Sequence, residues 1–249
     1  MASIHTATES LTGKRIIISG GTTGIGRAIA ILLGSYGAHI FTFGRNQEPL
    51  DETLTAIREA GGQADGIIAD SSKPEDIQRV FQQAEEKLGG LDILINSAAL
   101  AAGSISEMED ADWRYVIETN LAGYLATTKE ALNRMQPQKR GHIVLIGSMS
   151  ADVREEGSSV YVATKAAIQG FAESLRKEVN KDGIKVSLVE PGAVGSDMQP
   201  TTTEEERENE KTGEMLRAED IAVCVHYILT QPQRCDVVSI QIRPHLQLI

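Results

Sequence analysis

Positive charge is what this sequence is short of: 24 Lys and Arg stand against 35 Asp and Glu, a formal net charge of −11 at pH 7 over 249 residues. A groove that follows a phosphate backbone needs clustered Lys and Arg, so no nucleic-acid partner is expected. The same balance argues against docking on an anionic membrane or an acidic carrier protein. Cysteine is also scarce. The chain has two, Cys224 and Cys235, in neither a CxxC nor a metal-like spacing, which predicts reduced thiols, no disulfide, no catalytic thiol and no metal site. No apolar run approaches the ~20 residues of a bilayer span. The opening residues MASIHTATESLTGKR show no apolar secretory core, so no signal peptide and no membrane association are expected. Together these absences predict a cytoplasmic protein.

What the chain does have is 41% hydrophobic residues, those of a globular protein with a sizeable core. Short, nearly continuous apolar runs occur at 15–19, 39–43, 65–69, 91–96, 142–147 and 185–190, the pattern of strands buried on both faces. Helical patterns lie between them at about 24–36, 48–60, 74–88, 110–137, 160–181 and 218–230. Six strand–helix alternations predict an α/β, doubly wound parallel sheet of Rossmann type with helices on both faces. No linker or repeat divides the chain, so 1–249 is read as a single dinucleotide-binding domain. One segment stands out: TTTEEERENEK at 201–211 is either a solvated helix or loop, or a substrate lid over about 200–217.

The first strand is followed by SGGTTGIGRAIA, with Gly20, Gly24 and Gly26. This G-x-x-x-G-x-G pattern is looser than the usual dinucleotide fingerprint. In this position it suits a turn that lets backbone approach a pyrophosphate and opens a helix toward it. The second strand ends in FTFGRN. An acid there would hydrogen-bond the ribose of NAD, whereas Arg45 would grip the 2′-phosphate of NADP, unless it is an ordinary surface arginine. Asp70, after the third strand, could accept from an adenine amino group or cap a turn.

SSVYVATKAAIQGF at 158–171 sets Tyr161 and Lys165 four positions apart, on one helical face. A phenol with its ordinary pKa near 10 is a weak base at neutral pH. A positive charge about 5 Å away is worth ~3 kcal/mol at an effective dielectric of about 20, so the pair predicts a Tyr with a lowered pKa acting as general acid and base. Ser148 lies just upstream in HIVLIGSMS, at the end of a strand, on the sheet edge where open α/β folds bind ligands.

On these motifs the chain resembles the short-chain dehydrogenase/reductase family over nearly its whole length. The resemblance implies an NADP(H)-dependent oxidoreductase that moves hydride between nicotinamide and a small-molecule carbonyl or alcohol, a carbonyl reductase working as a homotetramer or homodimer. It implies a catalytic tetrad of Asn120, Ser148, Tyr161 and Lys165. Tyr161 would donate the proton and Ser148 hold the substrate oxygen. Lys165 would bind the nicotinamide ribose and lower the Tyr pKa, and Asn120 would hold a relay water. The implied cofactor residues are Gly20, Thr22, Gly24, Ile25, Gly26, Arg45, Asn46, Asp70, Ser71, Asn96 and Ala98, then Tyr161, Lys165, Pro191, Gly192, Val194 and Ser196. Two departures are visible: the family's N-N-A-G is NSAA at 96–99, and the ending VVSIQIRPHLQLI alternates as a strand and then a Pro-containing tail. That ending is similar to NADP-dependent members acting on small hydroxy acids, aldehydes and ketones. Two other readings stand beside this one: a 3-oxoacyl-carrier-protein reductase, and a non-catalytic NADPH-binding sensor or scaffold, which the intact tetrad disfavours.

Overall fold

The computed structural model describes residues 6–195 and 203–247. Seven parallel strands form one sheet: β1 (Arg15–Ser19), β2 (His39–Gly44), β3 (Gln63–Ile68), β4 (Ile93–Asn96), β5 (Gly141–Ile146), β6 (Ile184–Pro191) and β7 (Ser239–Ile242). Their spatial order is β3-β2-β1-β4-β5-β6-β7. The order reverses between β1 and β4, so the crossovers leaving those strands diverge and open a crevice at their carboxyl ends. Ser19 pairs with Asn96 at that point.

β1, β2, β4, β5 and β6 feed two cores, which is why those strands are apolar runs rather than alternating ones. Ile16 and Ile18 pack into the layer formed by α1 (Gly24–Ser35), α2 (Gln47–Glu59) and α9 (Ala218–Leu229), while Ile17 between them packs into the other. That second layer comprises α3 (Pro74–Leu88), α5 (Gly123–Gln138) and α7 (Ser159–Val179), and is centred on Phe81, Met135 and Ile168. The three isoleucines are all 1% exposed or less, and burying each such side chain contributes about 1.5–3 kcal/mol.

The helix expected at 110–137 is continuous but irregular. α4 (Asp110–Ile117) passes through a π-helical turn, Glu118–Ala122, before α5 begins. Such single π turns mark places where a helix makes room for a site. A short α6 (Ser150–Val153) follows β5, and the acidic segment forms α8 (Thr203–Thr212). The tail supplies β7, which extends the sheet beyond the six apolar runs through its register with β6 from Leu188↔Ser239 to Pro191↔Ile242.

Candidate active site

The crevice is a cavity of about 620 Å³ along the carboxyl ends of β1, β2, β4, β5 and β6. At the β1 end the cavity is shaped by a close approach of backbone. Gly20 has φ +66°, in the left-handed region, and a Cβ there would lie 2.6 Å from Ala98 Cα. A Cβ on Gly26 would overlap the Gly20 carbonyl. The turn therefore closes against the loop after β4 only because both positions lack side chains. Ser19 stitches the two loops together: its Oγ donates to Asn96 Oδ1 at 3.2 Å and accepts from Ser97 N–H at 3.2 Å. Ser97 and Ala99, the departures at this loop, both line the cavity.

At the carboxyl ends of β2 and β3 a chain of contacts crosses from strand to helix. Arg45 Nη1 donates to Tyr115 Oη at 3.0 Å, and Tyr115 Oη donates to Asp70 Oδ2 at 2.8 Å. Asp70 Oδ1 accepts from Ser72 N–H at 2.9 Å and from Ser72 Oγ at 2.8 Å. Burial pushes the Asp70 carboxyl up, but the Ser72 and Tyr115 bonds and the nearby Arg45 charge outweigh it and hold the pKa below its ordinary value. Asp70 is thus an anion with fixed acceptors, and Arg45 a partly tethered cation at the rim. Position 44 is closed to an acid, because a Cβ on Gly44 would overlap the Thr22 hydroxyl.

The opposite end is made of side chains. β5 delivers Ser148, and α7 delivers Tyr161 and Lys165 to the same wall. Lys165 is 2% exposed. Its Nζ donates to Ile146 O at 3.0 Å and lies 5.5 Å from the Tyr161 ring centroid and 5.8 Å from that of Tyr124. Among the described residues no carboxylate faces it, and burial pulls its pKa down to about 8. Tyr124 Oη donates to the same Ile146 carbonyl at 3.1 Å. The Tyr161 phenol is raised above its ordinary value, not lowered: burial raises it, the neighbouring Ser148 hydroxyl opposes this, and the Glu155 charge adds to the rise. The sequence expectation reversed because it counted the Lys165 charge without the desolvation that the pocket imposes on the phenol.

The chain matches the short chain dehydrogenase family over residues 14–207. An uncharacterized oxidoreductase of Staphylococcus aureus is 34% identical over 235 residues, 94% of this chain and 98% of the relative. The chain belongs to the short-chain dehydrogenase family. A crystal structure of a dehydrogenase/reductase from Sinorhizobium meliloti superposes with a TM-score of 0.83 at 33% identity, covering 94% of this chain and 96% of that one. An actinorhodin polyketide ketoreductase variant, solved with NADPH, gives 0.84 at 30% identity, covering 94% and 97%.

Within this short-chain dehydrogenase most residues singled out by sequence meet at one wall. Gly20, Thr22, Ile25, Gly26, Arg45, Asn46, Asp70, Ser71, Ala98, Ser148, Tyr161, Lys165, Pro191, Gly192 and Val194 all line the cavity. Gly24, Asn96 and Asn120 do not. Asn96 is fully buried, accepting from Thr127 Oγ1 at 2.8 Å and donating to Thr128 Oγ1 at 3.2 Å, and so ties β4 to α5. Asn120, inside the π turn, donates to Leu100 O and accepts from Leu100 N–H, both at 2.8 Å. Its side chain pins the loop after β4 rather than reaching Lys165. Ser196 and the first part of the 200–217 segment lie outside the described residues. The described part of that segment, 203–217, includes α8, borders Gly195 through Glu210 and does not line the cavity.

Sequence reasoning missed Tyr115, Tyr124, Thr119 and Gln247. None sits in a motif, and each reaches the site through tertiary packing. Thr119 tests whether a ligand fits: it is at the cavity wall, and its Oγ1 is buried with no partner among the described residues. With the glycine turn at one end and an ammonium held by one carbonyl at the other, the donor set fits a dinucleotide of the family's nicotinamide type.

Proposed function

We propose that this protein is an NADP(H)-dependent reductase of small-molecule carbonyls, with Tyr161 as proton donor. The observation that carries the reading is the meeting of Ser148, Tyr161 and Lys165 in the cavity that also holds the glycine turn and Arg45. Gly20, Gly26, Ser71 and Ala98 would hold the pyrophosphate and adenosine portion, Arg45 and Asn46 the 2′-phosphate, and Lys165 with Pro191–Val194 the nicotinamide riboside. The cofactor, when bound, supplies the hydride. Ser148 Oγ donates to the substrate oxygen and fixes it beside the phenol. Tyr161 Oη gives that oxygen its proton. A phenol held above its ordinary pKa is protonated at neutral pH, which suits the reducing direction. Lys165, buried beside the ring, offers its charge to the phenolate left behind and a proton to refill it. Asn120 acts through Leu100, keeping the loop after β4 at the cavity rim. The acidic segment over about 200–217 is read as the substrate lid.

In the substrate half, Glu155 lines the wall and is held by Ser150 Oγ at 2.7 Å. With a carboxylate there, neutral or cationic carbonyls are favoured over keto acids and over an acidic carrier protein. The test is absorbance loss at the reduced-nicotinamide band with NADPH and NADH in parallel, across matched neutral, cationic and anionic aldehydes and ketones. Turnover with NADPH is expected, weakest for the anionic set. Tight NADPH binding without turnover across the panel would favour the sensor reading.

A further inference from the structure

The carboxyl-terminal tail does not end at the edge of the sheet. After β7 it turns at Pro244 and runs back over the carboxyl end of β6, where Leu246 N–H donates to Gly213 O at 3.1 Å and Gln247 N–H to Pro244 O at 3.2 Å. Arg243 Nη1 donates to the Gln247 carbonyl. These contacts aim the Gln247 side chain at the cavity, whose wall it joins beside Pro191, Gly192 and Ala193. Its Oε1 accepts from Ala193 N–H at 3.0 Å. The fit depends on the residue next door, since a Cβ on Gly192 would overlap that same Oε1. Two features of the chain 54 residues upstream, a free backbone N–H and a missing side chain, therefore accommodate one amide from the tail.

That bond fixes which way the amide faces. With Oε1 committed to Ala193, Nε2 forms no hydrogen bond to a described residue, and the side chain that carries it lines the cavity that holds Tyr161 and Ser148. We propose that Gln247 is a ligand-binding residue of this site, its Nε2 donating to a carbonyl or hydroxyl oxygen of the molecule held at the carboxyl end of β6. The proposal rests on the reductase reading of the cavity. The oxygen belongs either to the cofactor's carboxamide or to the substrate, two sources of the same acceptor chemistry.

Two variants separate binding from mere stapling of the tail. Gln247→Glu keeps an acceptor for Ala193 N–H and loses the donor; Gln247→Met keeps the shape and loses both. Both are expected to weaken binding by about tenfold, the order of one lost hydrogen bond, with KM or Kd moved more than kcat and the melting temperature nearly constant. The full-length protein is titrated with NADPH by fluorescence, and KM is measured on the best carbonyl of the panel. A raised NADPH Kd assigns the acceptor to the cofactor; a raised KM at unchanged Kd assigns it to the substrate. Wild-type behaviour of Gln247→Glu in both measurements overturns the proposal, even if Gln247→Met is impaired, because a staple needs only the acceptor. If the wild type turns over no carbonyl, the reductase reading fails, and the NADPH titration alone decides the role of Gln247.

Discussion

The two ends of the cavity are built on opposite principles. At β1 and β2 the wall is backbone brought close by missing atoms: Gly20 and Gly26 have no room for a Cβ. At β5 and α7 the wall is side chains kept in a costly state, above all the Lys165 ammonium, buried with one carbonyl acceptor and two aromatic faces. The first end is ordinary folded protein that binds by shape and N–H groups. The second carries a charge that folding alone would not choose. Adding atoms should therefore damage the first end, whereas deleting the charge at the second should make the fold more stable and the protein inactive.

The largest effect is expected at the side-chain end. Tyr161→Phe should lower kcat by about 10²–10⁴, the usual scale for a positioned general acid, while NADPH binding by fluorescence stays close to wild type. Substantial residual turnover would place the proton donor elsewhere. At the backbone end Gly26→Ala should cost about 1–3 kcal/mol of stability through overpacking and weaken NADPH binding with it; unchanged denaturant midpoint and affinity would mean the turn is looser than its contacts imply.

Lys165→Met sharpens the contrast most directly. Turnover should be lost while the denaturant midpoint rises, because a buried charge is replaced by an apolar chain of similar length. The pH dependence has a definite sign. The folded chain releases the Lys165 proton near pH 8, against 10.5 for the free side chain. The unfolded state thus binds more protons between those values, and wild-type stability gains with pH across that window. The advantage of Lys165→Met should be full below pH 8 and shrink toward pH 10.5. An advantage that is flat with pH would mean that the Lys165 pKa is not lowered on folding.

Arg45→Ala should act at the rim, raising the Kd for NADPH about tenfold or more, as for a lost charge-assisted bond, and leaving NADH within a few-fold. Equal effects on both would assign Arg45 to Tyr115 alone. The alternative of placing an acid at Gly44 is unsuitable, because its Cβ would strike Thr22 and confound selectivity with folding. The smallest change is expected from Glu155→Gln, a few-fold gain for anionic carbonyls relative to neutral ones, in line with an exposed charge.

How far these residues could be read in advance follows from what each depends on. The run at Arg15–Ser19 was legible because a strand covered on both faces must be apolar at every position. Tyr161 and Lys165 were legible because four residues along a helix is a fixed geometry. The partners of Asn96 and Asn120, Thr127 and Leu100, were not legible, because a motif does not say whether an amide faces the cavity or the chain behind it. Tyr115 and Gln247 left no signal at all: one reaches Asp70 from 45 residues away, the other Ala193 from 54.

The sequence by itself determined the alternation of strands and helices, the glycine turn, and the family with its Ser, Tyr and Lys. Those follow from local geometry and periodic burial. Tertiary structure alone decided the ionisation of the site and the closing of its far wall. The Tyr161 phenol is raised and the Lys165 ammonium pulled down to about 8 because desolvation depends on everything packed around a group, and Gln247 joins the site because the last strand carries the tail back across the sheet edge.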